Sequence, residues 1–451
     1  MTDTTLKAEA TDPFAFRSDG YAWFVVFMLC LAMIISFIDR QIINLLVDPI
    51  RADLGISDTQ ISLLQGFAFA LFYSAVSIPL GRLVDARNRK GIIAAGMVLW
   101  SVATAVCGVA KLFWHLFIAR MLVGVGEATL TPAGASMLAD YFPRKSFTRA
   151  LSVFTGAGFL GSGIALALGG LIINEMMAIG PVDLGIFGTA RPWQLTFMVV
   201  SIPGLVLVGI LWLTVREPPR IGTAGKIKDE PLSLRDAWAY LVDHKRVLGP
   251  VVMGFTFMSM MMFSLGAWTP TYFVRTFDMP IAEIGAIFGL YFMILGSAGV
   301  VCGGLLSDWL KSRGHEDSNM RAGLIAAILT APFLVAFPLV SDQTLSLVLL
   351  APVIFFGTMP FGAGPSALPL IVPNRLRGQV MALYLLISNL VGQGGGPWLV
   401  AVFTDYALQD SSLLRYSISI VCPIILLIGA ATLVYGLKPF GRHVQALEAN
   451  A

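Results

Sequence analysis

Long apolar segments alternate with short polar connectors along most of the chain. A helix that crosses a bilayer core needs roughly 20 apolar residues, and the pattern predicts twelve such helices. They cover about 20–47, 59–81, 91–111, 114–141, 148–175, 193–215, 247–274, 282–310, 320–341, 345–373, 379–403 and 413–437. The pattern therefore predicts an all-α membrane protein with 12 transmembrane helices.

A long polar connector in the middle of the chain divides the helices into six plus six. We expect an N-terminal six-helix half over 1–215, a cytoplasmic linker over 216–246, and a C-terminal six-helix half with a tail over 247–451. Inside the linker, apolar residues recur at helical spacing after Ser233, which would serve as the N-cap: Leu234, Trp238, Leu241 and Val242. This predicts a short helix on the membrane surface. A plain linker is the alternative.

The basic residues predict the orientation of the chain. If the N-terminus lies in the cytoplasm, 23 of the 30 Lys and Arg residues fall in cytoplasmic segments and five in outside segments. Positive residues concentrate on the cytoplasmic side of membrane proteins, so both termini are predicted to be cytoplasmic. The two remaining basic residues, Arg40 and Arg120, lie inside predicted helices.

Composition agrees with the membrane class. The chain is 57% hydrophobic and 13% charged, with a mean hydropathy of +0.80, which is more apolar surface than a soluble domain of 451 residues could cover. Residues 1–20 show no secretory signal, so the first apolar segment is expected to be retained as a span. The four cysteines all fall in apolar segments and are interpreted as small hydrophobic residues.

Two pairs of connectors indicate an internal repeat. "GRLVDARNRK" (81–90) follows helix 2, and "GLLSDWLKSR" (304–313) follows helix 8; both have the pattern Gly-x-Leu-x-Asp and then basic residues. "DYFPRKSFTRA" after helix 4 and "LIVPNRLRGQV" after helix 10 align on Pro143 and Pro373. Two halves with matched connectors are typical of transporters whose site lies between the halves.

The Gly-Asp-basic connectors predict a cytoplasmic gate. Glycine allows close helix approach, and the aspartate can bind a nearby arginine or cap a helix N-terminus. The alternative is a solvated basic turn that serves topology alone. The predicted gate residues are Gly81, Asp85, Arg87, Arg89, Asp140, Arg149, Gly304 and Asp308.

Four ionisable residues lie well inside the predicted helices: Asp39, Arg40, Arg120 and Glu127. Charge within a membrane span indicates a functional site. With both acids ionised the cluster is neutral, and protonation of one acid would leave an arginine free to bind an anionic headgroup. We therefore predict that Asp39 or Glu127 exchanges a proton while Arg40 or Arg120 holds the substrate. The alternative is a static salt-bridge network that orients the helices.

Several motifs resemble those of a known family. "GRLVDARNRK" and "RMLVGVGEA" (120–128) resemble signatures of the major facilitator superfamily, while "SFIDR", "RNRK", "LVGVGEA", "ADYFP" and "WTPTYF" are similar to the Spinster family within it. The resemblance implies the major facilitator fold with two pseudo-symmetric halves, contact between helices 1 and 4, location in the inner membrane of a bacterium, and transport of lysolipids or sphingosine phosphate. Proton coupling is usual in the superfamily. Ala86 departs from the family pattern, which has arginine there.

The resemblance also implies that helices 7 and 10 line the cavity. They read "FTFMSMMMFSLGAW" and "FFGTMPFGAGP", so one wall would be charged and the other rich in Met and Phe, which adapt to apolar ligands. This favours an amphiphile over a sugar, although Met and Phe are also common as packing or lipid-facing residues. The predicted cavity-lining residues are Thr131, Thr256, Ser259, Met260, Phe263 and Asn389.

Together these features predict a proton-coupled secondary active transporter of a lysophospholipid or sphingosine-phosphate type substrate, working by alternating access as a monomer among membrane lipids. The alternatives are a proton-coupled symporter of small organic anions or sugar acids, and a proton-independent lipid uniporter. No ATP-binding loop is present, since "GTAGKI" (222–227) does not fit that motif. No enzyme activity, metal, cofactor or nucleic-acid partner is expected.

Overall fold

A computed structural model describes residues 18–183, 185, 188–220, 234–373 and 375–449 of the chain; the side chains of Ile78, Arg82, Asp85, Arg144, Leu234 and 446–449 are outside the description. In this part of the chain the α-helices are Asp19–Gln41, Val47–Leu54, Asp58–Ser62, Ala68–Ala86, Arg89–Cys107, Phe113–Glu127, Leu130–Tyr141, Arg144–Ile179, Pro192–Thr214, Leu234–Asp243, Lys245–Phe277, Ile281–Leu290, Ser297–Ser312, Ser318–Ala336, Gln343–Ile371, Arg377–Ile387, Gly395–Val402 and Leu414–Ala449.

Shorter elements interrupt or join these helices. Two 3₁₀ turns cover Ile42–Leu45 and Ser411–Leu413, and four π-helical turns cover Leu63–Phe67, Tyr291–Gly296, Ser388–Gly394 and Phe403–Leu408. Two-residue strands, Val182–Asp183 and Thr189–Ala190, pair antiparallel.

Twelve stretches of the described chain are long and apolar enough to cross a membrane, which confirms the predicted number. Spans 1 to 12 are Asp19–Leu45, Asp58–Ser77, Arg89–Cys107, Phe113–Tyr141, Lys145–Ile179, Pro192–Thr214, Lys245–Phe277, Ile281–Ser312, Ser318–Ala336, Gln343–Ile371, Arg377–Leu408 and Ser411–Gln445. Because their number is even, span 1 begins and span 12 ends at the same face, here called the terminal face. The other is the opposite face.

Close packing at the opposite face joins the first six spans to the last six. A Cβ atom added to Gly163 of span 5 would lie 2.5 Å from the carbonyl oxygen of Gly289 in span 8, and one added to Gly170 would lie 2.9 Å from that of Ile281. These distances are too short for any side chain, so glycine is required for the two spans to approach this closely.

An ion-pair network joins the same two groups of spans at the opposite face. Arg275, at the end of span 7, binds Asp48 through Nη2 at 2.7 Å and Asp58 through Nη1 at 2.8 Å. Asp58 is fully buried and also pairs with Arg51 at 3.1 Å. Nearby, the Thr59 amide donates to Asp405 of span 11 at 2.6 Å. These bonds hold the opposite face closed.

The connector between spans 6 and 7 contains the helix Leu234–Asp243, while its expected N-cap, Ser233, lies outside the described residues. Leu241 is buried and Trp238 is 55% exposed. The Tyr240 hydroxyl donates to the carbonyl oxygen of Ile371 at the end of span 10, and burial raises the pKa of Tyr240. The helix therefore has one face packed on the protein and one face free.

Candidate substrate cavity

A cavity of about 340 Å³ lies between the first six and the last six spans. Its walls differ in their polar groups, although both carry apolar side chains, which on the first six spans are Met33, Phe37, Leu130 and Phe159. The first six spans supply most of the polar groups, namely Ser36, Arg40, Gln41, Asn44, Gln65, Tyr73, Glu127, Thr131, Thr155 and Ser162. The last six spans supply an apolar surface of Met262, Phe263, Ala267, Phe292, Phe361 and Pro397, with Thr358, Asn389 and Gln393 as its polar members.

An ion pair between Arg40 and Glu127 forms part of the polar wall. Arg40 donates to Glu127 Oε2 from Nη2 at 2.6 Å and from Nε at 3.2 Å. The Ser36 hydroxyl donates to the same oxygen at 2.7 Å. The Glu127 side chain is buried, whereas 18% of the Arg40 side chain is exposed. Arg40 and Glu127 are the charged members of the cavity wall in the described part of the chain.

Aromatic rings surround the guanidinium of Arg40. Its central carbon lies 4.2 Å from the ring centre of Phe69, 4.8 Å from that of Phe37 and 5.4 Å from that of Tyr73. Ring faces attract a cation and hold it in a fixed position without satisfying its N–H donors. The rings therefore keep Arg40 at the wall without using its N–H donors, two of which bind Glu127.

A break in span 4 follows Glu127 directly. The helix Phe113–Glu127 ends there, and a new helix begins at Leu130. Pro132 has no amide hydrogen to continue the helical bonding. A Cβ added to Gly126 would lie 2.7 Å from the carbonyl oxygen of Gly96 in span 3. The break and this close crossing determine the position of Glu127.

Arg120 lies behind the cavity wall and has no exposed surface. It donates to the carbonyl oxygens of Asp39 at 2.8 Å, Arg40 at 3.2 Å and Leu64 at 3.4 Å. The first two belong to the last turn of Asp19–Gln41, where carbonyl groups lack helical partners. The expectation that Arg120 could hold the headgroup is therefore wrong for this arrangement: Arg120 binds the end of span 1.

Asp39 is also buried behind the wall. Neither of its carboxylate oxygens has a hydrogen-bond partner in the described part of the chain. The four predicted residues are thus brought together, and spans 1 and 4 do meet. They do not form a closed network of two ion pairs, because Arg120 binds the Asp39 backbone instead of its carboxylate.

The predicted cavity-lining residues divide into two groups. Thr131, Phe263 and Asn389 line the cavity, whereas Thr256, Ser259 and Met260 do not. This part of span 7 is buried against other spans: a Cβ on Gly396 of span 11 would lie 2.5 Å from the Met260 carbonyl oxygen. The Ser259 hydroxyl bonds its own helix at Phe255.

The polar residues of the wall that the sequence analysis missed include three amides of the first six spans: Gln41, Asn44 and Gln65. Gln65 lies in the π-helical turn Leu63–Phe67 and donates to the Ala267 carbonyl oxygen at 3.1 Å. Asn389 and Gln393 share another π-helical turn. Such turns are frequent at functional sites. The sequence feature that could have identified Gln65 is a lone amide side chain within an apolar run, "LLQGF".

Arg89 is the centre of the predicted gate at the terminal face. Its side chain is buried and bonds the carboxylate of Asp140, Glu217 Oε1 at 2.8 Å and the carbonyl oxygen of Pro218 at 2.9 Å. Glu217, which the sequence analysis did not single out, also accepts from the Lys90 amide at 2.8 Å. These bonds attach the chain after span 6 to spans 3 and 4.

The other predicted gate residues occupy different settings. The Asp85 side chain lies outside the description, Arg87 and Asp308 are exposed, and the Arg149 guanidinium lies 5.5 Å from the Trp23 ring centre. The prediction of close helix approach is wrong at Gly81, where an added Cβ would meet nothing within 4 Å. A Cβ added to Gly304 would also meet nothing, but its backbone does lie against span 10, because a Cβ added to Gly362 would be 3.1 Å from the Gly304 nitrogen. It is Gly303 that packs closely: its Cβ would lie 2.1 Å from the carbonyl oxygen of Met359.

Comparison with known proteins identifies the fold. The sequence profile of the Major Facilitator Superfamily matches residues 29–397. The chain superposes with a TM-score of 0.77 on the crystal structure of a bacterial homolog to the human lysosomal transporter Spinster in an inward-facing and unoccupied conformation. The match covers 95% of this chain and 98% of that one at 24% identity. The TM-score is 0.74 with the occupied conformation.

Curated relatives point to the same family. The chain is 28% identical over 414 residues to Protein spinster homolog 1 of Homo sapiens, covering 86% of this chain and 74% of that one. It is 26% identical over 389 residues to an MFS-type efflux pump of Mycolicibacterium smegmatis, covering 86% of each. The predicted fold, the Spinster resemblance and the non-enzymatic class are confirmed. The chain belongs to the Major Facilitator Superfamily, as a transporter of the Spinster type.

Proposed function

We propose that the chain is a proton-coupled secondary active transporter of an amphiphile with an anionic or zwitterionic head, of the lysophospholipid or sphingosine-phosphate type. The observation that carries this proposal is the Arg40–Glu127 pair on a polar wall that faces an apolar wall across one cavity. A headgroup on one side and an acyl chain on the other would satisfy both surfaces.

Arg40 is the proposed headgroup ligand. It is the cationic residue on the described cavity wall, and a guanidinium binds phosphate or carboxylate with two parallel hydrogen bonds. Glu127 already occupies its Nε and Nη2 donors. A headgroup anion that binds this edge of the guanidinium replaces Glu127, so its affinity there depends on whether the Arg40–Glu127 ion pair is formed.

The apolar wall is the proposed site of the acyl chain. Met262, Phe263, Phe292 and Phe361 face the cavity from the last six spans. Burial of apolar surface contributes about 25 cal/mol per Å², and Met side chains adapt to irregular ligands. A chain of stacked methylenes fits this wall, while a sugar would leave its hydroxyl groups unpaired there.

Asp39 is the proposed proton carrier, with Glu127 as the second candidate. An ionised carboxylate buried without donors is costly, and a proton removes that cost. Loss of the proton would attract the Arg120 guanidinium, which now binds the backbone of Asp39 and Arg40. Because Arg120 holds the end of span 1, such a movement would displace Arg40 and couple the proton to the headgroup.

Alternating access requires the opposite face to open. The bonds from Arg275 to Asp48 and Asp58 would break in that step, together with the Thr59–Asp405 bond. The distribution of Lys and Arg supports a chain in the inner membrane of the cell whose terminal face and both termini are on the cytoplasmic side. We therefore propose that this arrangement of the chain receives substrate from the cytoplasmic side, acting as a monomer.

Transport into liposomes tests the proposal. The purified chain is reconstituted, and movement of a labelled lysophospholipid is measured with and without an imposed pH gradient. We expect saturable transport that the gradient accelerates and that Arg40→Gln abolishes. Competition by hexose phosphates or sugar acids, with none by lysolipids, would instead favour the small-anion symporter. Transport that ignores the gradient would favour the uniporter.

A further inference from the structure

We infer that the polar wall holds a second subsite, which accepts the N–H groups of a primary ammonium on the same headgroup. The inference rests on the proposed function and narrows its substrate class to zwitterionic amphiphiles. The subsite, called here the acceptor subsite, consists of three oxygen atoms: Asn44 Oδ1, Gln65 Oε1 and Glu127 Oε1.

Each of these oxygens lacks a donor. Several buried side-chain atoms in the described part of the chain have no hydrogen-bond partner, and those that belong to cavity-lining residues are these three. Asn44 is 6% exposed, Gln65 5% and Glu127 2%. Buried polar groups are nearly always paired in folded proteins. A ligand in the cavity can supply the missing donors.

The orientations of the two amides support this reading. The Gln65 Nε2 group donates to the Ala267 carbonyl oxygen at 3.1 Å, and a carbonyl cannot donate in return, so Oε1 is the free atom. The Asn44 Nδ2 group donates to Gln41 Oε1 at 2.7 Å. Both amides thus present acceptors and use their donors within the protein.

The three acceptors lie on neighbouring elements. Asn44 is in the 3₁₀ turn Ile42–Leu45, and Gln65 is in the π-helical turn Leu63–Phe67. These two turns pack together, and the helix Phe113–Glu127 packs on the second of them. All three residues therefore belong to one wall of the cavity, on the side that also holds Arg40.

The number and charge of the groups favour a primary ammonium. It has three N–H donors and no acceptor, whereas a hydroxyl has one donor and a quaternary ammonium has none. Arg40 and Glu127 leave the wall neutral when both are ionised. A zwitterion that gives its phosphate to Arg40 and its ammonium to Glu127 separates the pair and preserves this neutrality.

A matched pair of lysophospholipids with the same acyl chain tests the subsite. One has a phosphoethanolamine head with a primary ammonium, and the other has a phosphocholine head without N–H groups. Binding of each to the purified full-length chain in detergent is measured by thermophoresis. We expect the wild-type chain to bind the first about tenfold more tightly, and Gln65→Met and Asn44→Leu to bring the ratio near one.

Two further variants separate the possible outcomes. Gln65→Glu keeps an acceptor and should keep the preference, and Gln393→Met, which removes an amide from the facing wall, should change both affinities alike. Equal wild-type affinities, or a preference that survives both Gln65→Met and Asn44→Leu, would overturn the subsite. If neither lipid binds, or if Arg40→Gln binds both like the wild type, the proposed function itself fails.

Discussion

Arg120 binds Asp39 through its backbone carbonyl oxygen, at 2.8 Å, and leaves the Asp39 carboxylate without a hydrogen-bond partner. The two side chains would be expected to form an ion pair, since both are buried at the junction of spans 1 and 4. The bond to the backbone makes Arg120 a cap for the last turn of a helix. Because Arg120 uses the backbone oxygen, the Asp39 carboxyl group has no hydrogen-bond partner among the described residues, although the Arg120 guanidinium is nearby.

Asp39→Asn should uncouple transport from the proton gradient. Asparagine has the same shape but cannot exchange a proton. We expect lipid counterflow to persist, because it needs no net proton movement, and the acceleration by a pH gradient to disappear. Liposome transport with and without the gradient provides the measurement.

A matched control for this substitution is Asp278→Asn. Asp278 is exposed and has a positive φ of 51°, which asparagine also adopts readily. This variant should respond to the gradient like the wild type. If Asp39→Asn does so as well, Asp39 is not the proton carrier, and Glu127 becomes the residue to test.

The two arginines of the cluster should differ in what they affect. Arg40→Gln should reduce lysolipid affinity by tenfold or more, because the headgroup loses its charged ligand. Arg120→Gln should instead lower the thermal stability, since each lost bond from a charged donor to a buried carbonyl costs about 1.5–3 kcal/mol. Melting temperature and lipid affinity, measured on both variants, separate these roles. If the two variants changed the melting temperature and the lipid affinity to the same extent, these separate roles for Arg40 and Arg120 would be contradicted.

The pattern of the sequence was sufficient for the twelve spans, whereas the meeting of spans 1 and 4 at the charged residues was implied by the family resemblance. It was not sufficient to tell which arginine faces the cavity. Arg40 and Arg120 both occur in apolar runs, and only the turn from α-helix to 3₁₀ helix at Ile42 creates the free carbonyls that Arg120 caps. The direction of a side chain depends on such local breaks.

The same limit explains the misassigned residues of span 7. Helical spacing relates Ser259 and Phe263 to one face, but span 7 packs against span 11 at Met260 and reaches the cavity only from Met262 onward. Whether a residue at a given depth in the membrane is buried depends on the angle at which the helices cross. The spacing of apolar residues along the sequence does not determine that angle. Similarly, Gln65 lines the cavity from a π-helical turn, which a regular pattern does not predict.

Glu127→Gln should bind purely anionic amphiphiles more tightly than the wild type. Glu127 competes with an anion for the Nε and Nη2 donors of Arg40, and a neutral glutamine competes less. We expect affinity for a lysophosphatidate to rise about tenfold, equivalent to about 1.4 kcal/mol. Titration of the detergent-solubilised chain with this lipid measures the change. Unchanged or weaker binding would mean that the pair does not regulate Arg40.

Arg275→Ala should shift the chain toward a form that is open at the opposite face. Arg275 connects span 7 to Asp48 and Asp58 with five charge-assisted hydrogen bonds, four of them between 2.7 and 3.0 Å and the fifth at 3.4 Å. Asp58 keeps a partner in Arg51 after the substitution, so the first six spans should stay folded. Loss of about 1.5–3 kcal/mol from the closed form would raise the open population by roughly tenfold or more.

Spin labels on Cys variants of two exposed positions, Ala52 beside span 2 and Glu283 in span 8, can report this opening as a longer inter-label distance. Arg275→Lys is the matched control, since lysine keeps the charge but cannot bind both carboxylates in the forked geometry. We expect its distance distribution to lie between those of the wild type and Arg275→Ala. A distribution for Arg275→Ala that equals the wild type would show that glycine packing between spans 5 and 8 closes this face without the ion pairs.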